Sequence, residues 1–259
     1  LVPFPLFAYY LLAFFRKKLI LPLYIVSLIP LLVFGHNGLE LFVMHTVAGV
    51  VAIYIFDFFN RGWLQFVNAL IVFFTLSVVW FAFRFIDGLG GSVDYWVLLW
   101  LFFASMISIA LYPVIYLFEK IFNLVSSSRL MELSDTNNKA LRELASKAPG
   151  TFQHSLQVAN FADSAARSID ADALLVRAGA LYHDIGKVCN PQCFVENETM
   201  GETYHQSLDP KESAREIIRH VSDGLQLAEK YKLPSVIMDF IATHHGTGLT
   251  RYFYIKYTN

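Results

Sequence analysis

Cysteine is scarce in this 259-residue chain, with only Cys189 and Cys193 present. A lone C-x-x-x-C pair is too few for a zinc-finger ligand set, and two reduced cytosolic thiols are the plainer reading. Charge is scarce as well: Asp, Glu, Lys and Arg make up 16% of residues, with a formal net charge of -1 and a pI near 6.8. No basic stripe with interleaved aromatics runs along the chain, which disfavours a nucleic-acid polymer as partner. No glycine-rich phosphate loop occurs, since Gly90-Gly91 falls between apolar segments. Strand-like alternation is absent from the polar half. The apolar start lacks an initiator Met and a signal-peptide n-region, so the chain reads as a fragment.

What is present is hydrophobicity, unevenly spread. Apolar residues make up 56% of the chain and Phe alone occurs 24 times. Residues 1–118 hold five Lys or Arg and four Asp or Glu; the other 141 residues carry fifteen and seventeen. The first part therefore reads as lipid-embedded helix and the second as a soluble domain. A spanning helix needs about 20 apolar residues. On that ruler five segments emerge: Leu1 to Phe15, Leu19 to Phe34, Leu39 to Phe59, Trp63 to Phe85 and Tyr95 to Phe118.

Cations set the orientation. Arg16, Lys17, Lys18 and Arg61 lie at alternate junctions, while the other junctions hold Glu40, Asp87 and Asp94. The positive-inside rule puts the basic junctions in the cytoplasm. The fifth helix then exits into the cytoplasm, and the expected location is a cell membrane, crossed several times, with lipid as a partner. Asp57 and Arg84 near helix ends read as snorkelling side chains, or for Arg84 as an i,i+3 pair with Asp87. His45 and Asn68 read as interhelical hydrogen-bond formers. Paired interrupted helices of the transporter kind are missing.

Residues 119–148 form a connector in which Leu130, Leu133, Leu141 and Leu144 recur at helical spacing. A break at Ser134-Asp135 is expected, with Ser or Asp capping the second piece. Pro149-Gly150 ends the connector. Beyond it, helices are expected over 152–168, 171–183, 210–221, 224–231 and 234–244. The overall expectation is an all-α protein: a polytopic transmembrane bundle (1–118), a connector (119–148) and an all-helical cytoplasmic domain (149–259).

Five of the chain's eight histidines form a candidate set in that last domain: His154, His183, His220, His244 and His245, with Asp184 beside His183. Imidazole suits Fe, Mn, Zn or Ni, and a carboxylate among histidines can bridge two ions. Asp184 is the candidate bridge. Two ions about 3.5–4 Å apart can share a nucleophile, polarise a phosphoryl oxygen and steady the leaving oxygen, so phosphoester hydrolysis is the implied reaction. Lys187, three residues beyond Asp184, is placed to neutralise a substrate phosphate.

The runs A-P-G-T-F-Q-H-S (148–155), G-A-L-Y-H-D-I-G-K (179–187), H-V-S-D-G (220–224) and F-I-A-T-H-H-G-T (240–247) resemble the HD phosphohydrolase superfamily. The likeness is greatest to the bacterial seven-transmembrane HD family, membrane-bound phosphodiesterases that hydrolyse cyclic di-AMP to pApA. It implies His154, His183 and Asp184 on one ion, and Asp184, His220, His244 and His245 on the other, with Mn or Fe favoured. It also implies that five of seven membrane helices are present. The family completes the first ion's shell with an Asp well downstream of the His-His pair. This sequence stops at Asn259 without one, so weak binding of the first ion and little activity are expected of these 259 residues. Family members commonly carry basic residues where Cys189-Asn190 stand, which bears on phosphate anchoring. The expected substrate is a cyclic dinucleotide, with another nucleotide or a catalytically silent signalling receptor as alternatives. A homo-oligomer is left open.

Overall fold

The computed structural model describes residues 4–15, 17–59, 64–86, 88, 94–198 and 204–258. These residues are helical, with no strand among them. The chain divides into two compact units, Leu1–Ser126 and Ser127–Asn259.

The first unit contains α1 (Phe4–Phe14), α2 (Lys17–Phe34), α3 (Gly38–Phe59), α4 (Leu64–Ile86), α5 (Trp96–Ile107) and α6 (Leu111–Phe122). By length and hydropathy, Gly38–Phe56 of α3 and Leu64–Ile86 of α4 are able to cross a membrane; the apolar stretches of α1, α2 and α5 are shorter. Tyr24, Leu28, Met44, Ala48, Val72 and Leu76 fill the space between helices. The predicted fifth segment is not one helix. α5 gives way to a 3-10 turn at Ser108–Ala110 before α6 starts. The Ser105 hydroxyl donates to the Leu101 carbonyl and the Ser108 hydroxyl to the Ser105 carbonyl. Such back-bonding competes with helical pairing, and Pro113 has no N–H to offer the carbonyl of residue 109.

Asn68 is an interhelical partner, as its type suggests: its Oδ1 accepts from the buried Tyr9 hydroxyl at 2.8 Å. His45 accepts the Tyr24 hydroxyl on its backbone carbonyl and meets the Phe4 ring. Arg84 pairs with Glu40 at 2.5 Å, tying the start of α3 to the end of α4. The expected partner Asp87 and the side chain of Asp57 lie outside the described residues.

The second unit comprises α7 (Ser127–Leu133), α8 (Lys139–Lys147), α9 (Pro149–Ser168), α10 (Ala173–Tyr182), α11 (Pro210–Lys230), α12 (Ser235–Thr243) and α13 (Arg251–Thr258). Short 3-10 turns at Ile185–Cys189, Pro191–Cys193 and Val195–Asn197 follow α10. Leu130, Leu133, Leu141 and Leu144, the periodic leucines of the connector, are all buried. Tyr182 at the end of α10 donates its hydroxyl to the Leu133 carbonyl at 2.9 Å. The break between α7 and α8 falls where expected, but the cap is Asn138. Its ψ of 140° is extended, and its side chain accepts from the Ala140 N–H. Asp135 instead accepts from the Asn137 N–H and closes the turn.

A second correction concerns α11, which runs unbroken through Gly224 rather than forming two helices. A Cβ on Gly224 would meet Ile241 Cγ2 at 2.8 Å and the Gly186 nitrogen at 3.3 Å. One on Gly186 would sit 1.8 Å from the His220 carbonyl oxygen. These two glycines let α11 lie directly on the turn after Asp184, and glycine's cost within a helix, about 1 kcal/mol, is offset by that contact.

Candidate metal centre

Three of the histidines reach the centre in the same way. His183 and His244 are the residues that cap α10 and α12 at their carboxyl ends, and His220 lies within α11. Each places Nδ1 against the carbonyl three residues back: Ala180 at 2.7 Å, Ile241 at 2.9 Å, and Ile217 for His220. A carbonyl only accepts, so Nδ1 carries the proton and Nε2 turns inward. A backbone partner behind a ring is the usual way an imidazole is oriented toward a metal.

The Nε2 atoms converge on Asp184. His183 Nε2 is 3.1 Å from Oδ2; His220 and His244 Nε2 are each 3.4 Å from Oδ1. His220 Nε2 lies 3.3 Å from His244 Nε2 and 3.2 Å from His245 Nε2. Facing lone pairs at that distance repel unless a cation or a proton lies between them. The Asp184 carboxylate is 3% exposed, and its Oδ1 has no hydrogen-bond partner. A buried orphan acceptor ringed by inward imidazole nitrogens fits a divalent metal ion, with Oδ1 and the Nε2 atoms as donors.

The donors fall into two overlapping groups, each with its atoms within 4.8 Å of one another: His154, His183 and Asp184, and Asp184, His220, His244 and His245. Every residue singled out from the sequence as a ligand is thus in one group or the other, and Asp184 is in both. His154 projects from the second turn of α9 and is exposed, its ring centroid 5.9 Å from that of His183. Neither cysteine joins a group. Burial, then the Glu216 charge, pushes the Cys193 thiol up to about 11, and both cysteines are free.

Electrostatics follow the same geometry. Burial works to raise the Asp184 carboxyl, but His183, His244 and the Lys187 charge outweigh it and hold it well below the usual carboxylate range. Burial opposes a charge on His183, yet its contact with Asp184 prevails and raises it. Burial lowers His220 and His245, and the neighbouring histidines lower His245 further. Both shifts favour the neutral imidazole, the form that ligates metals.

Lys187 stands in the 3-10 turn after Asp184. Its Nζ is 2.9 Å from Asp184 Oδ2 and 2.8 Å from Glu196 Oε1. Glu196 is the residue that sequence reasoning missed. Nothing in spacing marks it, because three successive 3-10 turns set its distance from Lys187. Asn190 is engaged with Tyr204 and Glu216. With Cys189 and Arg219 it lines a cleft of about 200 Å³ beside His220.

The depressed Asp184 pKa has a testable sign in the metal-free protein. A carboxylate whose folded pKa lies below the unfolded value of about 3.9 adds stability above that value and loses it as pH falls through the folded pKa. Melts of chelator-treated wild type and Asp184→Asn are expected to differ most above about pH 5 and to converge on acidification. A gap that widened toward acid would reverse the assignment.

Helices of the second unit deliver inward histidines and a shared aspartate to one cluster, and the HD domain family model matches residues 151–256, the stretch that holds them. Among known proteins, the chain is 46% identical over 143 residues to the cyclic-di-AMP phosphodiesterase PgpH of Listeria monocytogenes, covering 55% of this chain and 20% of that protein. The Bacillus subtilis PgpH is 41% identical over 155 residues, covering 60% and 21%. The chain therefore spans about a fifth of the length of these curated relatives. A crystal structure of the L. monocytogenes PgpH HD domain in complex with cyclic-di-AMP is 43% identical, with a TM-score of 0.46 over 47% of this chain and 57% of that one.

Proposed function

We propose that the protein is a membrane-anchored, metal-dependent phosphodiesterase that hydrolyses a cyclic dinucleotide, cyclic di-AMP to pApA. The observation that carries this reading is one buried carboxylate, Asp184, common to two histidine groups. It is supported by identities of 46% and 41% to two proteins named cyclic-di-AMP phosphodiesterase. In this reading 1–118 is a multi-pass membrane part, 119–148 a connector, and 149–259 a cytoplasmic catalytic domain.

His154 and His183 would hold one ion with Asp184; His220, His244 and His245 would hold a second with the same carboxylate. Bound divalent ions, Mn or Fe, would supply Lewis-acid activation of water and of the phosphoryl oxygen. The chain's own residues do the rest. Backbone carbonyls hold the Nδ1 proton of His183, His220 and His244, which leaves Nε2 as the nitrogen facing the cluster. Asp184 stays ionised at neutral pH because His183, His244 and Lys187 favour its charge. Lys187 presents an ammonium beside the cluster, where it stabilises charge growing on a phosphate oxygen.

The test uses intact protein in detergent, loaded with Mn²⁺ and given cyclic di-AMP, cyclic di-GMP and mononucleotides in parallel. The expected result is pApA from cyclic di-AMP, with turnover lost in His183→Ala. No turnover of any nucleotide, or a wild type no better than His183→Ala, would overturn it and favour a silent signalling module.

A further inference from the structure

Lys187 is held by more than Asp184. Its Nζ lies 2.8 Å from Glu196 Oε1 and 4.7 Å above the Phe194 ring. Glu196 Oε1 also accepts from the hydroxyl of Thr151 at 3.0 Å. Thr151 is fully buried and locked by Asn197, whose side-chain nitrogen donates to the Thr151 hydroxyl at 2.8 Å while its oxygen accepts the Thr151 N–H at 3.1 Å. The approach is close: a Cβ on Gly150 would lie 1.7 Å from the Glu196 carbonyl oxygen. The first turn of α9 thus clamps the 195–197 turn, and that turn presents the Glu196 carboxylate to Lys187.

The two tethers differ in what happens to them when a cation arrives. Asp184 Oδ2 faces both His183 and Lys187. A divalent ion drawn to that carboxylate sets positive charge beside the ammonium, and the two repel. A lysine tied only to Asp184 would swing away on its four-carbon stem. Glu196 belongs to neither donor group, so its hold on Lys187 persists.

We propose that Glu196, braced by Thr151 and Asn197, is a positioning residue that keeps the Lys187 ammonium aimed at a phosphate oxygen once Asp184 is engaged by metal. This rests on the phosphodiesterase reading above. Glu196 touches neither substrate nor metal and acts through Lys187.

Five forms of the intact, Mn²⁺-loaded protein test it: wild type, Glu196→Gln, Glu196→Asp, Lys187→Ala and the Glu196→Gln/Lys187→Ala double variant. Metal content and thermal melts first establish that each folds and loads. Acetylation of Lys187 by N-hydroxysuccinimidyl acetate, followed by mass spectrometry, reports the tether without any turnover. The expected result is protection in wild type that is lost in Glu196→Gln and largely restored in Glu196→Asp. With cyclic di-AMP, kcat should fall about 10- to 100-fold in Glu196→Gln with little change in KM. The double variant should be no worse than Lys187→Ala, because Glu196 has no other route to the reaction. Unchanged acetylation of Lys187 in Glu196→Gln would overturn the proposal, as would a kcat that rises when the competing carboxylate is removed. If the wild type turns over no nucleotide, the functional reading fails while the acetylation result still decides the role of Glu196.

Discussion

Asp184→Ala is expected to cost both halves of the histidine cluster their metal and to lower turnover by at least about 10³-fold. Among the described residues, no other side chain belongs to both donor groups. His220 and His244 face its Oδ1, and His183 and Lys187 face its Oδ2. Without the carboxylate, inward nitrogens and an ammonium are left with no anion between them, and cation affinity collapses. His154→Ala is the contrast, since His154 is a donor in one group only and its loss should empty one position. Metal content by inductively coupled plasma mass spectrometry, beside a thermal melt, separates the two outcomes. Retention of both ions by Asp184→Ala would show that the two donor groups do not depend on this carboxylate.

The second large effect is expected at Gly186, which carries no chemistry. Gly186→Ala should destabilise the protein by about 3 kcal/mol, lowering Tm by roughly 10 °C. Its new methyl would fall 1.8 Å from the His220 carbonyl oxygen and 2.5 Å from the Gly224 nitrogen, both backbone atoms that move only with α11. As α11 carries His220, the displacement should also weaken the metal group that includes it. Gly224→Ala should be far milder. Its nearest obstacle is a side-chain methyl of Ile241, and alanine returns about 1 kcal/mol of helix propensity. Paired thermal melts and metal titrations check the ranking; equal effects at the two positions would show that the contact is not what limits α11.

The same glycines explain what the sequence revealed and what it hid. Helices with a clear apolar period were legible, and so were the histidines, because motif and spacing mark them locally. A glycine at 224 read as a break, since sequence shows the propensity cost and not the neighbour that repays it. Asn138 was passed over as a cap for the same kind of reason: several cap-forming residues crowd 134–138, and only backbone ψ selects among them. Arg84 pairs with Glu40, 44 residues earlier, a contact that spacing along the chain does not mark. The Lys187–Glu196 pair was illegible because 3-10 turns have no repeat to read. The donors themselves were legible; the hydrogen bonds that steady them were not.

The placement of His183 and His244 has one more consequence. α10 ends at Tyr182 and α12 at Thr243, each one residue short of a ligand-bearing position. The carboxyl end of a helix carries a partial negative charge, from the summed dipoles of its peptide units. Two such ends join the Asp184 carboxylate at one point, so the cluster draws cations. On the proposed reading, metal charge would offset that field where an anionic phosphodiester settles. Metal would then load before nucleotide, and turnover would follow metal concentration.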